Sequence, residues 1–182
     1  RSYGIPVHMG HRAENIGDAQ LVVYTAAVKQ DNPELIAARE KGVPTVERSV
    51  LLGMVTDRYR DSIAVSGTHG KTTTTGMITQ LFLSAGRDPS AVIGGKLPFI
   101  GSNGRAGKSE TMVCEACEYV DTFLHLHPAI SVILNIDADH LDYFKNLENI
   151  IKSFRQFATQ TSRLLIVNGD DANSRKAVEG LH

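Results

Sequence analysis

The sequence predicts an α/β protein in two incomplete pieces. The end of a doubly wound, Rossmann-like domain fills residues 1–60, and the start of a P-loop-type parallel-sheet domain fills residues 61–182. Three observations lead there. Short apolar runs alternate with helix-patterned segments from end to end, as in strands joined by crossover helices. Residues 65–76, VSGTHGKTTTTG, set a glycine loop between an apolar run and a long helical pattern. The 182 residues are 42% hydrophobic and 21% charged, which leaves apolar material for a core and argues against disorder.

Residues 5–9 (IPVHM) read as a strand, 13–19 (AENIGDA) as a short helix and 21–28 (LVVYTAAV) as a strand. Residues 32–42 read as a helix with Pro33 in its first turn, where a missing N–H costs nothing, and Gly42 as its stop. A short strand, 43–46 (VPTV), and an amphipathic helix, 48–59, complete half of a doubly wound unit without its beginning. The domain boundary is expected near residues 59–62.

The second block opens with SIAVSG (62–67), a strand feeding the glycine loop, and continues as a helix over 71–86 that Gly86 ends. After SAVIGG (90–95), strands are expected at 110–116 and 129–136, a helix at 147–160, a strand at 163–170 and a helix at 171–180. Both ends read as cut: the chain begins at Arg1 without an initiator methionine and stops at His182 just after a helix.

A net charge of -1 and a pI near 6.7 give no basic field of the kind that nucleic-acid binders use, so nucleic acid is not expected as a partner. No apolar run approaches the roughly 20 residues that span a bilayer, and the first residues contain no signal-peptide core; the protein is read as cytoplasmic, with no membrane partner. The two cysteines, Cys114 and Cys117, have the spacing of a redox or zinc motif. A zinc site calls for a second pair, and the setting is a strand running into a loop, so buried or incidental thiols are expected.

The loop GTHGKTT, residues 67–73, supplies what a phosphate cradle needs, although Val65 stands where the usual G-x-x-x-x-G-K-[ST] pattern has its first glycine. Gly67 and Gly70 let the backbone turn tightly and bring N–H groups to oxygen, and the following helix points its positive end at the anion. Lys71 can reach the β- and γ-phosphates of ATP, and the Thr72 hydroxyl can take a Mg²⁺ position. Thr73 is given a ligand role as well, while Thr74 and Thr75 are left to packing or to bonding back onto the helix.

A nucleotide site also needs a metal and a reaction partner. Two strand ends offer candidates: Glu115 and Glu118 in VCEACE, and Asn135, Asp137, Asp139 and His140 in ILNIDADH. In an open parallel sheet, ligands collect at the carboxyl ends of the strands, where these residues and the loop all fall. From the residues alone, Glu115 is either a metal ligand or a solvated carboxylate, and His140 either a ligand or a helix cap. His125 and His127 read as packing rather than as a metal pair. An unrelated P-loop kinase or ATPase calls for the complete loop and a Walker-B aspartate, and neither is present.

Taken together and in order, GTHGKTT, EACEYVDTFLHLHP and LNIDADHLDYF resemble the Mur ligases of bacterial cell-wall synthesis, in which the loop is shortened to G-T-x-G-K-T. Residues 10–53 resemble the second half of the N-terminal domain of that family, so the likeness covers essentially the whole chain. The loop histidine, His69, is that of the alanine-adding or the related recycling members.

The resemblance implies a UDP-sugar-binding piece over 1–60 and the first part of a central ATP-binding domain over 61–182, with Gly67, Thr68, His69, Gly70, Lys71, Thr72 and Thr73 around the nucleotide. It implies that ATP turns the carboxylate of UDP-N-acetylmuramate into an acyl phosphate, which the amine of L-alanine attacks. A recycling ligase that adds a whole peptide is the alternative, and a nucleotide-binding fragment without turnover is a further one. Carried over by motif, Lys71 steadies the transferring phosphoryl group, Thr72 and Glu115 hold Mg²⁺, and His140 holds a second metal. Many relatives have EADES where this chain has EACEY, so no substrate role is carried over to Cys117 or Tyr119.

Overall fold

In the computed structural model, residues 4–181 are described, and the reading of the two chain ends at Arg1 and His182 falls outside them. The chain divides into two compact units between Leu51 and Leu52. That division runs through the helix Arg48–Thr56 (α2).

The first unit is a small parallel pair. Strand β1 (Val22–Tyr24) lies beside β2 (Thr45–Glu47), with Val23 opposite Val46. Between them runs α1 (Pro33–Glu40), started as its sequence dictates: Pro33 stands in the first turn, and the Asn32 side chain accepts the Glu34 N–H at 2.9 Å. Ile16, Ala37 and Ala38 form its core, with Val22 and Val43 packed against them. The expected helix near residue 13 is a single 3₁₀ turn, Ala13–Ile16.

The strand expected at residues 5–9 does not form. Ile5, Val7 and Met9 are exposed, Met9 at 81%, and no described strand pairs with the segment. Alternating apolar residues make a strand only where a neighbour satisfies the backbone and a core receives one face.

The second unit is a six-stranded sheet in the order β5-β4-β6-β3-β7-β8. Its strands are β3 (Asp61–Ser66), β4 (Ser90–Leu97), β5 (Ser102–Arg105), β6 (Thr111–Glu115), β7 (Ile130–Ile133) and β8 (Leu164–Val167). All neighbours are parallel except the edge pair β4–β5. Strand β5 carries no sequence signal, because SNGR has no strand-like alternation; main-chain pairing with β4 holds it.

The helices are α3 (Lys71–Ser84), the short α4 (Leu141–Phe144), α5 (Leu147–Thr159) and α6 (Ala172–Val178). Helix α5 buries Ile150, Ile151, Phe154, Phe157 and Ala158, a helical stripe, and the Asn146 side chain caps it through the Asn149 N–H. Phe123 stacks on Phe157 at 4.8 Å and meets Phe154 edge-on at 5.1 Å, joining the 3₁₀ segment Tyr119–His125 to the core.

Strand order positions the site. Central β3 pairs with β6 on one side and β7 on the other, and neither follows it directly in the chain. The connections diverge there, which opens a crevice at the carboxyl ends of β3, β6 and β7.

Candidate nucleotide site

Strand β3 delivers its carboxyl end to the glycine loop. Gly67 has φ +138, and a Cβ built there would lie 3.0 Å from Leu134 Cβ and 3.2 Å from Asn135 N, so a side chain is excluded by both conformation and space. The loop is clasped to the turn after β7. Thr68 N donates to Asn135 O at 3.0 Å, His69 N to Asn135 Oδ1 at 2.8 Å, and Asn135 Nδ2 donates back to His69 O at 3.1 Å. Asp137 N donates to the buried Thr68 hydroxyl at 2.8 Å. The expected strand over 129–136 therefore ends at Ile133, because the backbone beyond it turns to hold the loop.

Gly70, in the left-handed region at φ +87, starts α3. The first bond of that helix runs from Thr74 N to Gly70 O, so the N–H groups of Lys71, Thr72 and Thr73 lie ahead of the helical ladder. Thr68, His69, Gly70, Lys71, Thr72 and Thr73 line a cavity of about 290 Å³. A larger one, about 600 Å³, lies elsewhere, around Thr159, Leu165, Val167 and Val178. With Arg163 as its one charged lining residue, it lacks the convergent groups of the loop. Farther along α3, Thr75 is buried and its carbonyl accepts the Thr79 hydroxyl at 2.8 Å, while the Thr74 N–H makes the first helical bond.

Lys71 folds back over the loop. Its ammonium donates to Gly67 O at 2.6 Å, to Thr68 O at 3.3 Å and to Glu118 Oε1 at 3.0 Å, and its side chain is 16% exposed. The Glu118 side chain is 3% exposed. Its Oε2 lies 2.9 Å from the same ammonium as an ion pair, but off the direction of a hydrogen bond.

Glu115, at the end of β6, is held between strand β4 and helix α3. Its Oε1 accepts Gly94 N at 2.5 Å, and its Oε2 accepts the Thr72 hydroxyl at 3.2 Å. A Cβ on Gly94 would sit 2.7 Å from Oε2, so this carboxylate has room only because β4 carries glycine there. Nothing local in SAVIGG marks Gly94 as part of a site. Thr72 and Glu115 together form an all-oxygen pair suited to a hard divalent cation. Among the described residues, no three His, Cys, Asp or Glu side chains form a metal-holding group.

His140 stands at the same rim, before α4, in the left-handed region at φ 52. Its Nε2 is 3.9 Å from Glu118 Oε1, and its ring packs on Tyr119 at a centroid distance of 4.7 Å. The backbone of His140 is tied to its neighbour, its N–H donating to Asp139 Oδ1 at 2.7 Å. His127 faces Asp57 at 3.9 Å. The Cys114 thiol is fully buried, and loss of solvation pushes its pKa up to about 12, whereas Cys117 is exposed.

Comparison with known proteins gives this geometry a family. The chain is 51% identical over 185 residues to the UDP-N-acetylmuramate--L-alanine ligase of Acetivibrio thermocellus, a match covering 98% of this chain and 39% of that protein. The crystal structure of the UDP-N-acetylmuramate-alanine ligase from Thermotoga maritima superimposes with a TM-score of 0.88 at 30% identity, over 97% of this chain and 41% of that one. The UDP-N-acetylmuramate:L-alanyl-gamma-D-glutamyl-meso-diaminopimelate ligase of Neisseria meningitides gives 0.87 at 26% identity, over 98% and 61%. The chain thus spans about two fifths of the length of the alanine ligases it matches. The model of the Mur ligase middle domain matches residues 65–182 and that of the Mur ligase family catalytic domain matches residues 1–60, and the chain belongs to the Mur ligase family.

Proposed function

We propose that the full-length protein carrying this sequence joins L-alanine to UDP-N-acetylmuramate at the expense of ATP, through an acyl phosphate, in peptidoglycan precursor synthesis. The clasped loop carries the reading: three N–H groups ahead of a helical ladder, the positive end of the α3 dipole and a folded-back lysine border one cavity of about 290 Å³. Identities near 50% to alanine ligases over nearly the whole chain support the choice of substrates.

In this reading the N–H groups of Lys71, Thr72 and Thr73 hold the nucleotide phosphates, and the Lys71 ammonium opposes the charge that develops on the transferring phosphoryl group. Glu115 and the Thr72 hydroxyl are the ligands we assign to Mg²⁺, which their oxygen donors suit. Held there, the ion would supply positive charge to offset that of the phosphate and carboxylate oxygens. We assign His140 to the side of the site that meets the sugar carboxylate, with a second metal. Residues 1–60 are assigned to the UDP-sugar domain and residues 61–182 to the ATP-binding one. No described helix is long and apolar enough to cross a membrane, and we place the reaction in the cytoplasm, where its nucleotide substrates are.

The near-equal structural likeness to the Neisseria peptide ligase keeps a second acceptor in view. The test incubates the full-length protein with UDP-N-acetylmuramate, Mg-ATP and either L-alanine or L-alanyl-γ-D-glutamyl-meso-diaminopimelate, following phosphate and amide product. Product with L-alanine is expected. Product with the peptide alone assigns the protein to recycling, and product with neither refutes both readings.

A further inference from the structure

An ammonium has three N–H donors, and in this structure all three of Lys71 are taken, by Gly67 O, Thr68 O and Glu118 Oε1. A phosphate that is to receive a hydrogen bond from Lys71 must displace one of them. The two carbonyls belong to the loop that makes the cradle, and the Asn135 clasp fixes them. Glu118 is the anionic competitor, so its attraction for the ammonium opposes that of the phosphate directly.

The carboxylate is held where it can do this. Phe123 N and the Thr122 hydroxyl both bind Cys117 O, at 2.9 and 2.8 Å, and Asp121 N binds Glu118 O at 3.0 Å. Val120 and Asp121 both adopt left-handed conformations, at φ 53 and 55, which a β-branched residue rarely does. The Asp121 carboxylate secures the kink by accepting from the Ser153 hydroxyl on α5 and, at 2.7 Å, from the Tyr143 hydroxyl on α4. Released from Lys71, Glu118 still faces His140 Nε2 at 3.9 Å.

We propose that Glu118 is a positioning residue that holds Lys71 across the mouth of the phosphate loop, and that an incoming β-phosphate takes Lys71 from it. The proposal rests on the reading of the loop as a nucleotide site. It makes Glu118 an opponent of nucleotide affinity and a support of turnover, two effects with opposite signs.

The experiment uses the full-length protein as wild type, Glu118→Gln and Glu118→Asp, and measures the affinities for ADP and AMP in excess magnesium, kcat with the full substrate set and the melting temperature. Removing the negative charge beside Lys71 is expected to tighten ADP about threefold or more and to leave AMP, which has no β-phosphate, unchanged. Turnover is expected to fall about threefold or more, because ADP held more tightly by the freed ammonium leaves the site more slowly. The aspartate variant is expected to lie between glutamine and wild type in both readouts. ADP affinity unchanged or weakened in a glutamine variant that melts like wild type overturns the proposal, as does unchanged turnover or an equal gain for AMP. If the glutamine variant melts early, the aspartate variant decides by the same criteria. Wild-type protein that binds no ADP refutes the nucleotide site itself, and this proposal with it.

Discussion

Replacing Asn135 by alanine removes the side chain that bonds His69 on both its N–H and its carbonyl, at 2.8 and 3.1 Å, without touching any group assigned to phosphate or metal. Each bond lies in an exposed loop where water can take its place, so each is worth about 1 kcal/mol net, and their loss sets a ceiling of about 2 kcal/mol on the cost of restoring the loop for a ligand. Two further ties survive, Thr68 N to Asn135 O and Asp137 N to the Thr68 hydroxyl, and they keep the cost below that ceiling. The expected result is a dissociation constant for Mg-ADP raised between about 5- and 30-fold, since about 1.4 kcal/mol corresponds to a factor of ten. Isothermal titration of wild-type and variant full-length protein measures it, with melting temperature as the control for folding. A constant within twofold of wild type, in a variant that folds, would refute the view that this clasp preorganises the loop. Asn135→Asp sharpens the test: it keeps an acceptor for His69 N, loses the donor to His69 O and adds a negative charge beside the phosphates, so it should bind ADP more weakly than the alanine variant.

Lys71→Ala in the full-length protein is expected to lower turnover by about 10² or more, as expected for a cation aimed at developing charge in a closed site; near-normal rates would exclude the phosphate-loop reading. Glu115→Ala should raise the magnesium concentration needed for half-maximal rate, and Gly94→Ala should do the same, because its Cβ would press on Glu115 Oε2. Unchanged magnesium curves in both variants would remove Glu115 from the metal. In native protein at neutral pH, alkylation should label Cys117 and spare Cys114, whose buried thiol stays protonated up to about pH 12; the labelled peptides distinguish the two, and equal labelling would contradict the burial of Cys114.

The parts that the sequence by itself determined are those whose signals are contiguous. The glycine loop and α3 follow from spacing alone, α1 from the Asn32-Pro33 start, and α5 from the apolar stripe through Ile150, Phe154 and Phe157. The candidates at the ends of β6 and β7 were legible because parallel strands present their carboxyl ends together. Which partner each would meet was not. Asn135 clasps His69 across 66 residues of chain, Lys71 meets Glu118 across 47, and Gly94 admits Glu115 across 21. These pairings depend on β3 lying between β6 and β7 and on β4 lying beyond β6, an order that alternation along a chain does not encode. Residues 5–9 and β5 show the same limit from the other side: an apolar alternation without a neighbour stays out of the sheet, and a polar segment with one joins it, because a strand is completed by the hydrogen bonds of the chain beside it.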